Sequence, residues 1–328
     1  EVNRDIFNYL KEQLKFSEAN REGVRFAVSG TGKLFQGDSL ENLLVSAGIR
    51  RESVTDQGLQ FFRRKNSEGT IYFINNPSDK YFEGNITLET PAKSAGIFNP
   101  MTGEKGKVKV TGSKDGKIKL YLQLKPFESL IIKAFKTALQ CPDYLFYEKS
   151  GDPVVINGKW NLRFIEGGPV LPASVSLNEP VLWTALEGEE YKDFSGSAVY
   201  STTFTALAFK SKFLQLNLEK VFESAAIMLN GEYIGTLLGP DFSVVIPAEK
   251  LRNTNNLEIR VTNLAANRIA YMDRKGIEWK KFYNTNFPSR LPQNRKEGLF
   301  DASAWQPRPS GLQGEVCLIP LKPVTNSR

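Results

Sequence analysis

The chain has 328 residues, 41% of them apolar and 24% charged, which is enough for two or three globular domains with real cores. It has no histidine, and that excludes Ser-His-Asp and Cys-His nucleophile systems, His-ligated zinc or iron, and any imidazole base. The formal net charge of +7 is scattered, with only short clusters such as Arg63-Arg64-Lys65 and Lys280-Lys281, so it reads as a solvated basic surface and not a nucleic-acid footprint.

Residues 1–15 place Ile6, Phe7, Leu10 and Leu14 on one helix face. Val24–Val28 reads as a short strand, Ser29-Gly30-Thr31-Gly32 as a turn, and Leu34-Phe35 as a second short strand. Ser39 caps a helix with Leu40, Leu43 and Leu44 facing inward, and Gly48 ends it. Residues 1–55 therefore read as the tail of an α/β domain. The stretch "SGTGK" is not a phosphate loop, because Lys33 is followed by Leu34 where Ser or Thr is needed.

Over residues 56–137 the period changes to two. Ile118, Leu120, Leu122 and Leu124 face one way, and Lys119, Tyr121, Gln123 and Lys125 face the other. Asp115-Gly116 is a hairpin signal between two such runs. This segment predicts a small antiparallel β-sandwich. Residues 138–159 are irregular and read as a linker.

A second all-β pattern fills residues 160–328. Trp160 and Trp183 precede core strands, and Phe194, Tyr200 and Phe204 read as packing residues on one strand. Ser195-Gly196 suggests a close backbone approach. Asn230-Gly231 predicts a two-residue hairpin, since both central positions of a type I′ turn need positive φ. After Val261 the alternation fails, and Ala265–Gly311 reads as a long loop before a last strand, "GEVCLIPL". A loop that long in a compact domain is often functional. The two cysteines, Cys141 and Cys317, are too few for a disulfide framework or a Cys-based zinc site; one bridge or two buried thiols would satisfy the sequence.

The chain has no apolar run long enough for a transmembrane helix, no signal peptide and no initiator Met. It opens inside an amphipathic pattern, so a fragment or a processed chain is expected. The lack of a leader then says nothing about where a parent protein goes.

The stretches "EEYKDFSGSAVYSTTF" (189–204), "LQLNLEKVFESAAIMLNGEYIGTLLGPDFSVVIPAEKL" (214–251) and "NLEIRVTNLAANRI" (256–269) resemble the sugar-binding jelly-roll domain of glycoside hydrolase family 2. With "GTGKLFQGDSLENLLVSAGI" (30–49) and "GLQFFRRKNSEGTIYFINNPSDKYFEGNITLET" (58–90) before them, nearly the whole chain is more closely similar to the C-terminal region of the α-L-rhamnosidases of glycoside hydrolase family 106. The resemblance implies a mainly β chain: a short N-terminal α/β segment, a β-sandwich, then a galactose-binding-like jelly roll. It implies a non-catalytic accessory region of a bacterial glycan-degrading enzyme, with carbohydrate and the N-terminal catalytic domain of the parent chain as partners. It implies a periplasmic or extracellular setting. The catalytic (β/α) barrel of such enzymes does not fit into residues 1–55, so no catalytic residue carries over. No cofactor is expected for this chain, and a structural Ca²⁺ of the kind jelly-roll sugar modules often hold, with backbone carbonyls as ligands, stays open. A stand-alone carbohydrate-binding module and a purely structural sandwich are the alternatives.

Within the long loop, Tyr271, Trp279, Phe282, Tyr283 and Trp305 stand among Asn267, Arg268, Asp273 and Arg274. Aromatic faces suit the apolar C–H surface of a pyranose, and planar polar groups suit its hydroxyls. The same residue types anchor protein interfaces and buried networks. The candidates for sugar or domain contact are Asn267, Arg268, Tyr271, Asp273, Trp279, Tyr283 and Trp305, with Arg268 and Asp273 facing a sugar, a domain or each other. Glycoside hydrolysis needs two carboxyl groups across a sugar. Glu278, Glu297 and Asp301 lie in the loop, but their spacing brings no two together. The run Glu187, Glu189, Glu190 and Asp193 reads as a solvated edge.

Overall fold

The computed structural model describes residues 2–112, 116–205, 209–280 and 282–324. The chain is mainly β. It opens with α1 (Val2–Glu12), a hairpin of β1 (Arg25–Ser29) and β2 (Gly32–Gln36), and α2 (Leu40–Ser46). Ser39 caps α2 as expected, its hydroxyl accepting from the Asn42 amide at 3.3 Å. The inward face expected of α2 is corrected: the helix has no buried residue, and Leu40 is 71% exposed. Ile6 and Phe7 of α1 are exposed as well, and the Leu10 side chain lies outside the described residues. The two-stranded hairpin is too narrow to cover either helix.

The first sandwich packs the sheet β3-β4-β10-β6-β7 on the sheet β5-β9-β8. In chain order its strands are β3 (Gln60–Lys65), β4 (Gly69–Asn75), β5 (Phe82–Leu88), β6 (Ser94–Phe98), β7 (Lys105–Val108), β8 (Thr111–Gly112), β9 (Ile118–Leu124) and β10 (Ser129–Phe135). Alternation on β9 buries Ile118, Leu120, Leu122 and Leu124 against Tyr72, Ile74, Ile97 and Ile132. Asp115 of the expected hairpin lies outside the described residues. Buried Glu52 accepts from the Tyr72 hydroxyl at 2.8 Å and the Arg63 guanidinium at 2.6 Å, tying the preceding turn to the sheet.

Residues 138–159 contain two short strands, β11 (Tyr147–Lys149) and β12 (Val154–Val155). Both pair with the final strand β23 (Gly311–Pro323). The Tyr147 and Phe213 rings meet edge-on at 5.1 Å, so this segment knits the two sandwiches together.

The second sandwich comprises β13 (Trp160–Gly168), β14 (Val175–Leu177), β15 (Ser195–Thr205), β16 (Phe213–Phe222), β17 (Ser224–Leu229), β18 (Glu232–Leu238), β19 (Ser243–Pro247), β20 (Thr254–Thr262) and β23. One sheet runs β14-β13-β15-β20-β17-β18; the other runs β11-β23-β16-β19. Trp160, Trp183, Phe194 and Tyr200 fill the space between them, with the Phe164 and Phe194 rings 4.9 Å apart. Asn230 and Gly231 take φ of 55° and 80°, the hairpin conformation their types favour. A Cβ at Gly196 would sit 2.0 Å from the Glu166 carbonyl oxygen, so the close approach inferred from Ser195-Gly196 is real. Cys141 and Cys317 are both free thiols.

The long loop expected at Ala265–Gly311 is corrected in part. It begins with a helix, α4 (Ala266–Arg274), continues through short 3₁₀ turns, and contains a two-residue pairing of β21 (Arg295–Lys296) with β22 (Leu299–Phe300). Helix forms here because Asn267 and Ala270 share a face that buries against β15 and α3 (Glu189–Asp193). Short polar residues had masked that period.

Candidate functional site

Four side chains hold α4 and its loop in place. Asn263, just after β20, donates to the Phe194 carbonyl at 3.1 Å and the Ser310 hydroxyl at 2.8 Å, and accepts from the Gly196 amide at 2.8 Å. Asn267 donates to the Arg308 carbonyl at 3.0 Å and accepts from the Arg308 amide at 2.8 Å. An amide side chain matches an extended backbone donor and acceptor together, which is why Asn suits this buried place. Ser195 accepts from the Arg268 amide at 3.0 Å, at the start of α4. Asp273 accepts from the Trp279 indole at 2.7 Å, the Lys280 ammonium at 2.8 Å and the Ala302 amide at 2.8 Å.

Of the three readings open for Arg268 and Asp273, the one in which they pair with each other is therefore not met. Asp273 bonds Lys280, six residues past the end of α4. Arg274 bonds Asp193. The reading of Asp193 as part of a solvated edge is corrected too: it is buried, while Glu187, Glu189 and Glu190 stay at or near the surface. Burial pushes the Asp193 carboxyl above the usual aspartate range, with Arg274 pulling the other way. No periodicity flags a pair like Asp193–Arg274, whose members lie far apart in sequence.

The structure divides the seven candidates. Asn267, Asp273, Trp279 and Trp305 spend their polar atoms internally; the Trp305 indole donates to Asn294 at 2.8 Å and its ring meets Phe300 edge-on at 5.7 Å. Arg268, Tyr271 and Tyr283 do not. The Arg268 side chain is exposed and has no ion pair among the described residues. Its guanidinium lies over Gly168, where a Cβ would come within 2.9 Å of Cζ. Gly168 thus makes room for a flat cation on the sheet surface. Tyr271, three residues on, shares that helix face. Beyond it the loop presents Phe282 and Phe287, each 78% exposed, with Tyr283 and Leu291 beside them in sequence.

The loop carboxylates form no acid–base pair. Asp301 bonds the Ser303 hydroxyl and amide, which lowers its pKa from the ordinary value. Glu278 and Glu297 are exposed. Among the described residues no three Asp, Glu or Cys side chains gather into a metal site. Among them also no helix is long and apolar enough to cross a membrane.

No family model matches the chain. It is 31% identical over 132 residues to a protein named putative beta-glucuronidase from Formosa agariphila, a stretch that is 39% of this chain and 11% of that protein. In fold, 90% of this chain superposes on 27% of the rhamnosidase from Novosphingobium sp. PP1Y, at a TM-score of 0.67 and 23% identity. A β-glucuronidase of Bifidobacterium dentium, complexed with coumarin-3-O-glucuronide, matches 53% of this chain at a TM-score of 0.33 and 15% identity. The chain thus spans about a tenth of the curated relative and about a quarter of the rhamnosidase. It is related to glycoside hydrolases over that part of their length.

Proposed function

We propose that this chain is a non-catalytic accessory region of a glycoside hydrolase of the α-L-rhamnosidase type. In this reading the α4 corner and its loop dock on the catalytic domain of the parent enzyme, with Arg268 and Tyr271 at the edge of its sugar site. The observation that carries it is the exposed aromatic and apolar surface of Phe282, Tyr283, Phe287 and Leu291, mounted on a loop held by Asp273. Four large apolar side chains exposed along one loop are denser than the single scattered ones of an ordinary surface, as at an interaction surface. A rigid base costs little further ordering when a partner binds. The parent would act on plant or host glycans outside the cytoplasm.

The test has two arms. The isolated chain is assayed on aryl rhamnosides, aryl glucuronides and pectic oligosaccharides, with no turnover expected; robust turnover overturns the accessory reading. Calorimetric titration with rhamnose and galactose then asks whether the isolated chain is itself a binding module. Saturable binding lost in Arg268→Ala would favour a stand-alone carbohydrate module over a docking region.

A further inference from the structure

A concave site lies away from α4, between the two sandwiches. Its volume is about 890 Å³, within the roughly 300–1,000 Å³ typical of ligand sites. One wall is the outward face of β9, where Gln123 projects, with Lys125 just past the strand's end and Glu83 of β5 beside them. The other wall comes from β16, β18 and β19, with Tyr233 on its rim. Tyr144 and Tyr147, from the segment joining the sandwiches, line it between these walls. The walls are fixed to each other: Lys125 reaches across to Asp241 at 2.5 Å and to the Ser243 hydroxyl at 2.9 Å.

The lining combines tyrosine rings with fixed acceptors. Tyr81, Tyr144, Tyr147 and Tyr233 all contribute to it. Glu128 accepts from Asn99 at 3.1 Å and from the Lys125 amide at 2.8 Å; Glu83 accepts from the Tyr121 hydroxyl at 2.6 Å. Each carboxylate is thereby oriented and keeps free lone pairs. Burial, then the nearby carboxylates Glu83 and Glu128, pushes the Tyr81 phenol above its ordinary value; burial and Glu104 push Tyr147 up to about 12. These phenols remain neutral donors at physiological pH.

Charge narrows the ligand. Glu83, Glu104 and Glu128 have no ion pair among the described residues, Lys125 and Glu148 are each paired, and Lys149 adds one positive charge, so the lining is negative on balance. An anionic glycan is repelled there. A polycation is opposed at longer range by the net charge of +7. A neutral oligosaccharide meets neither barrier. Its C–H faces stack on tyrosine rings and its hydroxyls donate to carboxylates, bonds strengthened by the acceptor charge. We infer that the cleft between the two sandwiches is a binding site for neutral oligosaccharide chains, separate from the α4 corner.

The experiment is calorimetric titration of the full chain with cellohexaose, xylohexaose, mannohexaose and maltohexaose. At least one hexaose is expected to bind saturably. Tyr233→Ala and Glu104→Gln should each weaken it about tenfold, for a lost ring contact and a lost charge-assisted bond. Both residues are exposed, so folding is preserved. Failure of every hexaose at about 10 mM overturns the inference. So does binding abolished by Arg268→Ala but retained in Tyr233→Ala, which would return it to the α4 corner. Preference for oligogalacturonate or hexalysine, sensitive to Tyr233→Ala, would overturn the charge argument. Failure of the accessory reading leaves this test standing, because its readout is at other residues.

Discussion

Asp273→Ala tests whether the loop after α4 is held from one point. Its side chain is 4% exposed and serves three donors, of which Lys280 is 13% exposed. Breaking a buried ion pair from one side costs about 3–5 kcal/mol, because the remaining charge is stranded. Lys280 would keep the Phe300 carbonyl at 2.8 Å and the Trp279 and Phe300 rings at 5.3 Å. Those contacts place the loss at the lower end, about 3 kcal/mol. The loop contributes little to the sandwich core, so the loss should appear as local opening with a smaller change in global melting. Trypsin reads this directly at Lys280, Arg290, Arg295 and Lys296. Where opening is fast relative to cleavage, the rate follows the open population, and about 3 kcal/mol means roughly a hundredfold faster cutting. Asp273→Leu combined with Lys280→Met should recover much of the protection, since no charge is then stranded. Cleavage of Asp273→Ala within about threefold of the unmodified chain would refute the single-point account.

Two further outcomes follow from the same corner. Asp193 has its folded-state pKa raised by burial, so the native chain holds a proton more tightly than the unfolded one. Its contribution to stability is then full below the unfolded aspartate value and is lost as pH rises through the folded value. Asp193→Asn should remove that falling slope from a melting-temperature profile on the acid side of neutrality, and an unchanged profile would count against the burial account. Gly168→Ala places a methyl within 2.9 Å of the Arg268 guanidinium, an exposed and flexible end that can swing away. Melting temperature should hold, while any sugar affinity that depends on Arg268 falls as far as in Arg268→Ala; retained affinity would show that its seat over Gly168 does not matter.

Side chains that alternate over a core were legible, and side chains that bond to distant backbone were not. Ile118 through Leu124 declare their faces by period alone, because one face of β9 meets a core and the other does not. Asn230-Gly231 declares its turn because few residue pairs adopt positive φ cheaply. In both cases the determining interaction lies within a few residues. Leu40 shows the opposite: its helix was legible but its burial was not, since burial depends on what packs against the face. The α4 corner is harder still. Asn263 and Asn267 look like ligand groups in sequence because an amide has the same donor and acceptor pattern whether it meets a sugar or a peptide bond. What decides between them is whether a backbone with unmet hydrogen bonds passes within reach, and here Arg308 and Ser310 do, over forty residues later. Polar density in a loop therefore identifies a place where something must be satisfied. In this chain the buried amides and Asp273 satisfy the protein itself, and that internal satisfaction leaves Arg268 and Tyr271 on a fixed outer face, available to a partner.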